Sequence, residues 1–210
     1  MDFVRCLRGL TNGHQMRRVT GKRTVKLVAG LLALVLVLCA VSFAVGSYRN
    51  YIRPAGIIVH HSAIPLSPGG NQSAASLIDE VHRRRGYGAF YLGRYYHIGY
   101  HYLILPDGTV VQGRPEHCRG AHADGYNSYI GICLIGNFSS KDTGFLNEGP
   151  RQVTDAQLNA LTNLCRQLQG KYGIPLDKIH GHHDVNANTE CPGDNFPVEQ
   201  LMNSLKVSKS

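Results

Sequence analysis

Ile57-Ile58-Val59-His60-His61-Ser62 reads as a buried strand that ends on two histidines. Its apolar, β-branched run is the pattern of a strand covered on both faces. Successive side chains on a strand point to opposite faces, so only one of His60 and His61 can serve a given site. Spacing alone does not say which. A second histidine-rich stretch lies near the end of the chain, Ile179 to Gly193 (IHGHHDVNANTECPG). Its imidazoles, carboxylates and thiol are the donor types that zinc takes, and a catalytic zinc uses three protein ligands and leaves a fourth position for water. This stretch offers two such ligands, and the His60–His61 pair is the donor expected to complete the set.

Working outward from these two stretches, the chain alternates strand and helix signals. Ala55 to His61 is the strand just described, and Pro65 to Ser73 (PLSPGGNQS) reads as a loop. Ser73 is placed to cap a helix with Leu77, Ile78, Val81 and His82 at helical spacing, where His82 is read as a hydrogen-bonded core histidine. Gly88 to His97 (GAFYLGRYYH) shows no clear period and reads as a loop forming part of a groove wall. His101 to Leu105 and Thr109 to Gln112 flank Pro106-Asp107-Gly108, and Asp-Gly between two β-rich runs signals a hairpin. Tyr129 to Gly136 (YIGICLIG) is another buried strand. Thr154 followed by Gln157 is a capping box that opens a helix with an apolar stripe of Leu158, Leu161, Leu164, Cys165 and Leu168. Lys178 to Gly181 reads as a short strand, and Phe196 to Leu205 as a closing helix. The order predicts an α/β fold, a single domain with a central mixed β-sheet flanked by helices.

The formal charge is +8 over 210 residues, but its distribution argues against a nucleic-acid partner. Arg5, Arg8, Arg17, Arg18, Lys22, Arg23 and Lys26 crowd the N-terminus, whereas basic and acidic residues nearly balance from Ser47 onward. No basic stripe interleaved with aromatics follows. Leu27 to Val45 (LVAGLLALVLVLCAVSFAV) carries no charge, and as a helix it extends roughly 28 Å, close to the hydrocarbon thickness of a bilayer. The expected organisation is a basic cytoplasmic segment (1–26), a transmembrane signal anchor (27–46), a polar linker (47–54) and a catalytic domain (55–206). The basic flank keeps the N-terminus inside and exports the rest. The alternative is secretion after signal-peptide cleavage, since Ala40-Val41-Ser42 resembles a small-x-small cleavage site. Of the six cysteines, Cys133 and Cys165 lie on apolar faces, and no disulfide framework is expected even though export permits one.

Several segments together resemble the zinc-dependent N-acetylmuramoyl-L-alanine amidases of the type 2 family, which includes phage endolysins and the peptidoglycan recognition proteins. They are IIVHHSA at 57–63, IGYHYLI at 98–104 with the following PDGTVVQGR, GAHADGYN at 120–127, IGICLIGNF at 130–138, and GHHDV with TECPGD at 181–194. They occur in the family's order across almost the whole exported part. Carried over by position, the resemblance implies one Zn2+ held by His60, His182 and Cys191, with His61 pointing away. It implies Tyr100 and Thr189 as catalytic residues, and His122 and Asn127 as contacts to the peptidoglycan stem or muramyl group. There are departures: the segment between His182 and Cys191 is one residue longer than the commonest form, the Tyr126–Ile130 segment one shorter, and Gly88–His97 looks like an insertion.

The activity implied is hydrolysis of the amide bond between N-acetylmuramic acid and L-alanine by a membrane-tethered monomer acting on peptidoglycan or muropeptides. Two other classes are kept beside it. One is a receptor that binds peptidoglycan without cutting it; such members often lack the cysteine ligand. The other is a cysteine hydrolase with Cys191 as nucleophile and His182 as base.

Overall fold

The computed structural model describes residues 12–63, 71–141 and 151–206. The first eleven residues, with Cys6, much of the loop read at 65–73, and the middle of the 137–151 loop lie outside them. The chain divides into two units, one up to Gly46 and one from Ser47 onward.

The first unit is built on helix α1, Asn12–Arg49. Its stretch Gly21–Arg49 is long and apolar enough to cross a bilayer, the one such helix among the described residues. The large apolar side chains from Val25 to Val45 are exposed along it, Leu27 at 74% and Leu36 at 70%. A helix whose apolar side chains are exposed on every side is one whose side chains suit lipid rather than water.

The second unit contains a five-stranded sheet in the order β5-β4-β6-β1-β7. Its strands are β1 (Ile57–His61), β4 (Tyr102–Ile104), β5 (Val110–Gln112), β6 (Ile130–Leu134) and β7 (Ile179–Gly181). β1 runs parallel to both of its neighbours, β6 and β7; β4 runs parallel to β6, and only β5, at the edge, is antiparallel. Helix α2 (Asn71–Arg84) covers one face; α3 (Asp155–Tyr172) and α5 (Val198–Lys206) cover the other. Strand alternation sorts the side chains between them. Ile57, Val59, Ile104, Ile130, Ile132 and Leu134 join Leu161, Cys165, Leu168 and Leu201 in the larger core. Leu103, Leu105, Cys133 and Ile135 meet Ala74 and Ile78 on the α2 side. Each fully buried Leu or Ile side chain contributes roughly 1.5–3 kcal/mol.

The capping box at α3 is present, and it does more than start the helix. Thr154 Oγ1 accepts from the Gln157 amide at 3.0 Å and itself donates to the Pro106 carbonyl at 2.7 Å. The fully buried Gln157 side-chain amide donates to the Ile104 and Ile135 carbonyls at 3.2 and 3.0 Å. The helix start thereby closes the ends of β4 and β6, where a buried carbonyl left unpaired would cost about 1–3 kcal/mol.

Three expectations need correction. Gly88–His97 is not a loop but a separate hairpin of β2 (Ala89–Tyr91) and β3 (Arg94–Tyr96), held by Ala89, Tyr91 and Tyr96 packing around Cys118. The residues read as a linker are fastened down: Ser47 to Arg49 are helical, Tyr51 bridges to Cys118, and the amide of buried Ile52 donates to the His117 carbonyl at 2.8 Å. Helix α2 starts at Asn71, ahead of Ser73. Two short elements were unforeseen, the 3₁₀ turn Leu176–Lys178 and α4, His182–Val185. Cys39, Cys118, Cys133, Cys165 and Cys191 are all free thiols.

His82 and His101 are structural. His82 Nδ1 accepts from the Gly99 amide at 2.8 Å, and His101 spans the Gly131 amide (2.9 Å) and the Cys118 carbonyl (2.8 Å). Burial first, with Arg114 and for His82 also Arg85 adding repulsion, pushes both imidazoles from 6.5 down to about 4. The unfolded chain therefore binds more protons than the folded one between about pH 4 and 6.5, and stability falls as pH falls through that window. Urea midpoints measured across it should decline steadily on acidification; midpoints that stay level or rise would contradict this account.

Candidate metal centre

Register decides between the two histidines of β1. His60 shares the α2-side face with its partner Cys133, while His61 turns to the other face, where its Nδ1 accepts from the Phe138 amide at 3.1 Å. Fully buried His60 thus points away from the larger core. The second stretch approaches it from β7 and α4, which set His182 beside the end of β1, its ring 4.5 Å from that of His60. Beyond α4 the chain loops back to present Cys191. His60, His182 and Cys191 each offer a ligand atom, all within 4.8 Å of one another. Cys191 Sγ lies 3.6 Å from His60 Nδ1. For a tetrahedral zinc with nitrogen at about 2.0 Å and sulfur at about 2.3 Å, neighbouring ligand atoms fall close to that separation. The donor set and its spacing fit the ion.

The hydrogen bonds around His60 fix its tautomer. His122 Nε2 lies 3.1 Å from the Tyr129 carbonyl, which can only accept, so Nε2 carries the proton. Burial, and then repulsion from His101, pushes the His122 imidazole well below its ordinary pKa, so the ring is neutral and its Nδ1 is an acceptor. His60 Nε2, 3.0 Å away, is the donor to it. What remains at His60 Nδ1 is a lone pair aimed at Cys191 Sγ, and the thiol donates its proton there. Burial, reinforced by His122 and His182, keeps His60 well below 6.5; burial, reinforced by His183, lowers His182. Burial pushes the Cys191 thiol up to about 12. The backbone amide of His61 also points at Sγ, at 3.3 Å.

Beside this cluster runs an open groove lined by Arg85, Tyr87, Tyr100, His122, Asn127 and His182, among others. The Tyr100 ring sits 5.1 Å from that of His60. Burial, and then Cys133 and Cys191 nearby, push its phenol well above 10, so it remains a donor at neutral pH.

A family profile described as N-acetylmuramoyl-L-alanine amidase matches residues 50–194, a span that holds both histidines, the cysteine and the groove. The chain belongs to the N-acetylmuramoyl-L-alanine amidase family. An endolysin of Enterobacteria phage K11 is 40% identical over 96 residues, which are 45% of this chain and 58% of the phage protein. The chain therefore spans little more than half the length of that relative. Peptidoglycan-recognition protein SC2 of Drosophila melanogaster is 33% identical over 154 residues, 71% of this chain and 73% of that protein. Among solved structures, N-acetylmuramoyl-L-alanine amidase LysC from Clostridium intestinale URNW aligns with a TM-score of 0.59 at 35% identity, covering 75% of this chain and 88% of that one.

In this amidase-family domain the structure gathers five of the seven residues singled out in the sequence, His60, Tyr100, His122, His182 and Cys191, around one point. Asn127 lines the same groove, but its Oδ1 is engaged by the His122 and Ala123 amides at 2.9 and 3.2 Å. Both ring nitrogens of His122 are likewise engaged, so it offers the groove its ring surface rather than a hydrogen bond. Thr189 lies in a neighbouring recess with His61, Asn137 and Cys191, and its Oγ1 accepts from the Cys191 amide at 3.2 Å. Asp184 closes the turn, accepting from the Gly181 amide at 2.7 Å.

Arg114 closes the PDGTVVQGR segment quoted above, but no role was assigned to it there. It is 1% exposed, and its guanidinium donates to the carbonyls of Ile98 (2.5 Å), Arg119 (2.6 Å) and Tyr87. The loop that carries Cys191 is also sewn in place. The Asn195 amide donates to the Phe138 carbonyl at 2.9 Å, Ser139 and Lys141 bond Glu190, and the Ser140 amide donates to Asp194 at 2.6 Å. At Gly193, φ is +100°, and a Cβ would come within 2.3 Å of the Phe138 backbone. Gly193→Ala should therefore lift this loop from its bed and destabilise the domain by about 1–3 kcal/mol in urea unfolding. An unchanged midpoint would show that the loop is free to shift.

Proposed function

We propose that the exported domain is a zinc-dependent N-acetylmuramoyl-L-alanine amidase, cutting the bond between the lactyl group of N-acetylmuramic acid and L-alanine in peptidoglycan or its fragments. The observation that carries this reading is the thiol of Cys191 held 3.6 Å from a deprotonated His60 Nδ1, with His182 beside it. His60, His182 and Cys191 would hold the ion. When bound, zinc supplies Lewis-acid polarisation of a carbonyl and lowers the pKa of its water from about 15.7 toward roughly 7.

The residues of the chain do the rest. The groove orients the glycan-linked peptide so that the scissile amide faces the cluster. Tyr100 keeps its phenolic proton and donates it as a hydrogen bond to the developing oxyanion, a contribution that costs on the order of 10² to 10³ in rate when removed. The His61 amide offsets the thiolate charge at Cys191. Thr189 positions the Cys191 backbone. His122 positions His60 by fixing which nitrogen bears the proton; partners of this kind are worth about 10- to 100-fold in metal affinity.

A cysteine nucleophile fits less well, because reactive cysteines have depressed pKa values and burial holds this thiol near 12. A binding-only role does not require the thiol ligand that Cys191 provides. The helix α1 is read as an uncleaved anchor that leaves the catalytic domain on the outer face of the membrane.

Purified sacculi digested with the protein should release stem peptides with new L-alanine amino termini and leave glycan strands with free lactyl carboxylates, both detected by mass spectrometry. Chelation should abolish the activity and zinc restore it, while Cys191→Ala should be inactive with either. Full activity in a metal-free preparation would sink the zinc mechanism. Binding to sacculi with no cleavage would favour the receptor. Because His60 and His182 are already neutral at pH 7 and Cys191 is not ionised, loading one ion releases one proton. Zinc affinity should then rise about tenfold per pH unit near neutrality, and calorimetry in buffers of different ionisation heat should count that proton. His122→Ala should weaken zinc binding about 10- to 100-fold, with His122→Asn, which keeps an acceptor, recovering part of it. Equal affinities in all three proteins would remove His122 from the site's support.

A further inference from the structure

The β2–β3 hairpin leaves an aliphatic side chain in water at its tip. Leu92 is 66% exposed and Tyr95 57%. Leu92 and Gly93 form the tip with φ of +46° and +81°, a turn whose first position favours Asn or Gly on steric grounds. A bulky Leu occupies it instead. The tip is also tied to one place in the chain. The Leu92 amide donates to Ser47 Oγ at 3.2 Å, and Asn50 Nδ2 donates to the Phe90 carbonyl at 3.0 Å. Ser47 stands two residues past Val45, where the apolar run closes, and Tyr48, 82% exposed, sits beside it. The rim is cationic. Arg49, Arg53 and Arg94 are exposed, and the sequence holds no Asp or Glu from Ser47 to Ile78 or from Val81 to Pro106.

We propose that this hairpin is a second contact with the bilayer, Leu92 and Tyr95 seating at the headgroup–acyl boundary while the arginines meet anionic headgroups. Aromatic and aliphatic side chains with a basic rim are the composition that partitions to this depth. Chain continuity supplies the partner. The hydrogen bond to Ser47 holds the tip at the residue where the apolar segment ends, so the surface Leu92 meets is the one that segment enters.

The proposal rests on reading α1 as an uncleaved anchor, and the test separates the two. The chain has no tryptophan, so Leu92→Trp in the full-length protein is a single reporter, and Val198→Trp on α5 is a second. Each is reconstituted into phosphatidylcholine–phosphatidylglycerol vesicles with or without brominated acyl chains. Both variants should float with the vesicles. The indole emission of Leu92→Trp should be blue-shifted and quenched roughly twofold or more by bromine, as for a residue at the headgroup boundary, while that of Val198→Trp is unaffected. Flotation with the Leu92→Trp emission unquenched, or with both variants quenched alike, would overturn the hairpin contact and leave the anchor standing. A chain that does not float, or that is recovered shortened near Ala40, would overturn both.

Discussion

One proton, held between Cys191 Sγ and His60 Nδ1, is the constraint on which the rest of the site depends. It sits in a buried place, between groups far apart in the sequence, and each partner has been driven toward neutrality by loss of water. Burying two neutral groups that bond each other costs little, whereas burying the thiolate and an imidazolium would demand compensation the surroundings do not offer. The protein thus assembles the donor set in the protonation state easiest to fold. On the reading proposed above, a divalent cation held by His60, His182 and Cys191 would stand where that proton is.

Much of the scaffold behind this pair was legible in the sequence, and for identifiable reasons. The β-branched runs at Ile57 and Ile130 form two adjacent inner strands, Asp107-Gly108 turns the hairpin, and Thr154 with Gln157 opens α3. What strand spacing could not decide was the parity of His60 and His61. Ile57 and Val59 pack toward α3, which turns His60 to the α2 side. That follows only from knowing which helix covers which face. The β2–β3 hairpin escaped because its strands have three residues each and owe their order to Cys118, a distant residue. The Tyr51–Ile52 segment looked like a linker for the same reason, since its partners are near His117.

Within the site, His60, His182 and Cys191, which the family resemblance named, do lie together, while the support around them was not foreseen. His122 was expected to face a ligand, yet both its nitrogens are spoken for, by His60 and by Tyr129. No spacing rule connects position 122 to position 60; the link arises because β6 places Gly131, against which the His122 ring packs, beside β1. Histidines crowd this region, yet His60, His61, His82, His101, His122 and His182 are all driven toward the neutral form by burial. A cluster that looks strongly basic in the sequence is therefore close to uncharged in the fold.

Arg114 brings this architecture to a mechanical conclusion. Its guanidinium gathers carbonyls from the turn that follows α2, from the approach to Tyr100 and from the loop before His122. Those are the segments that border the groove. Fastened to one planar cation, they share a single anchor point and cannot drift apart independently. One wall of the cleft is therefore hung on a single buried charge, so that loss of this one side chain would unfasten three segments at once.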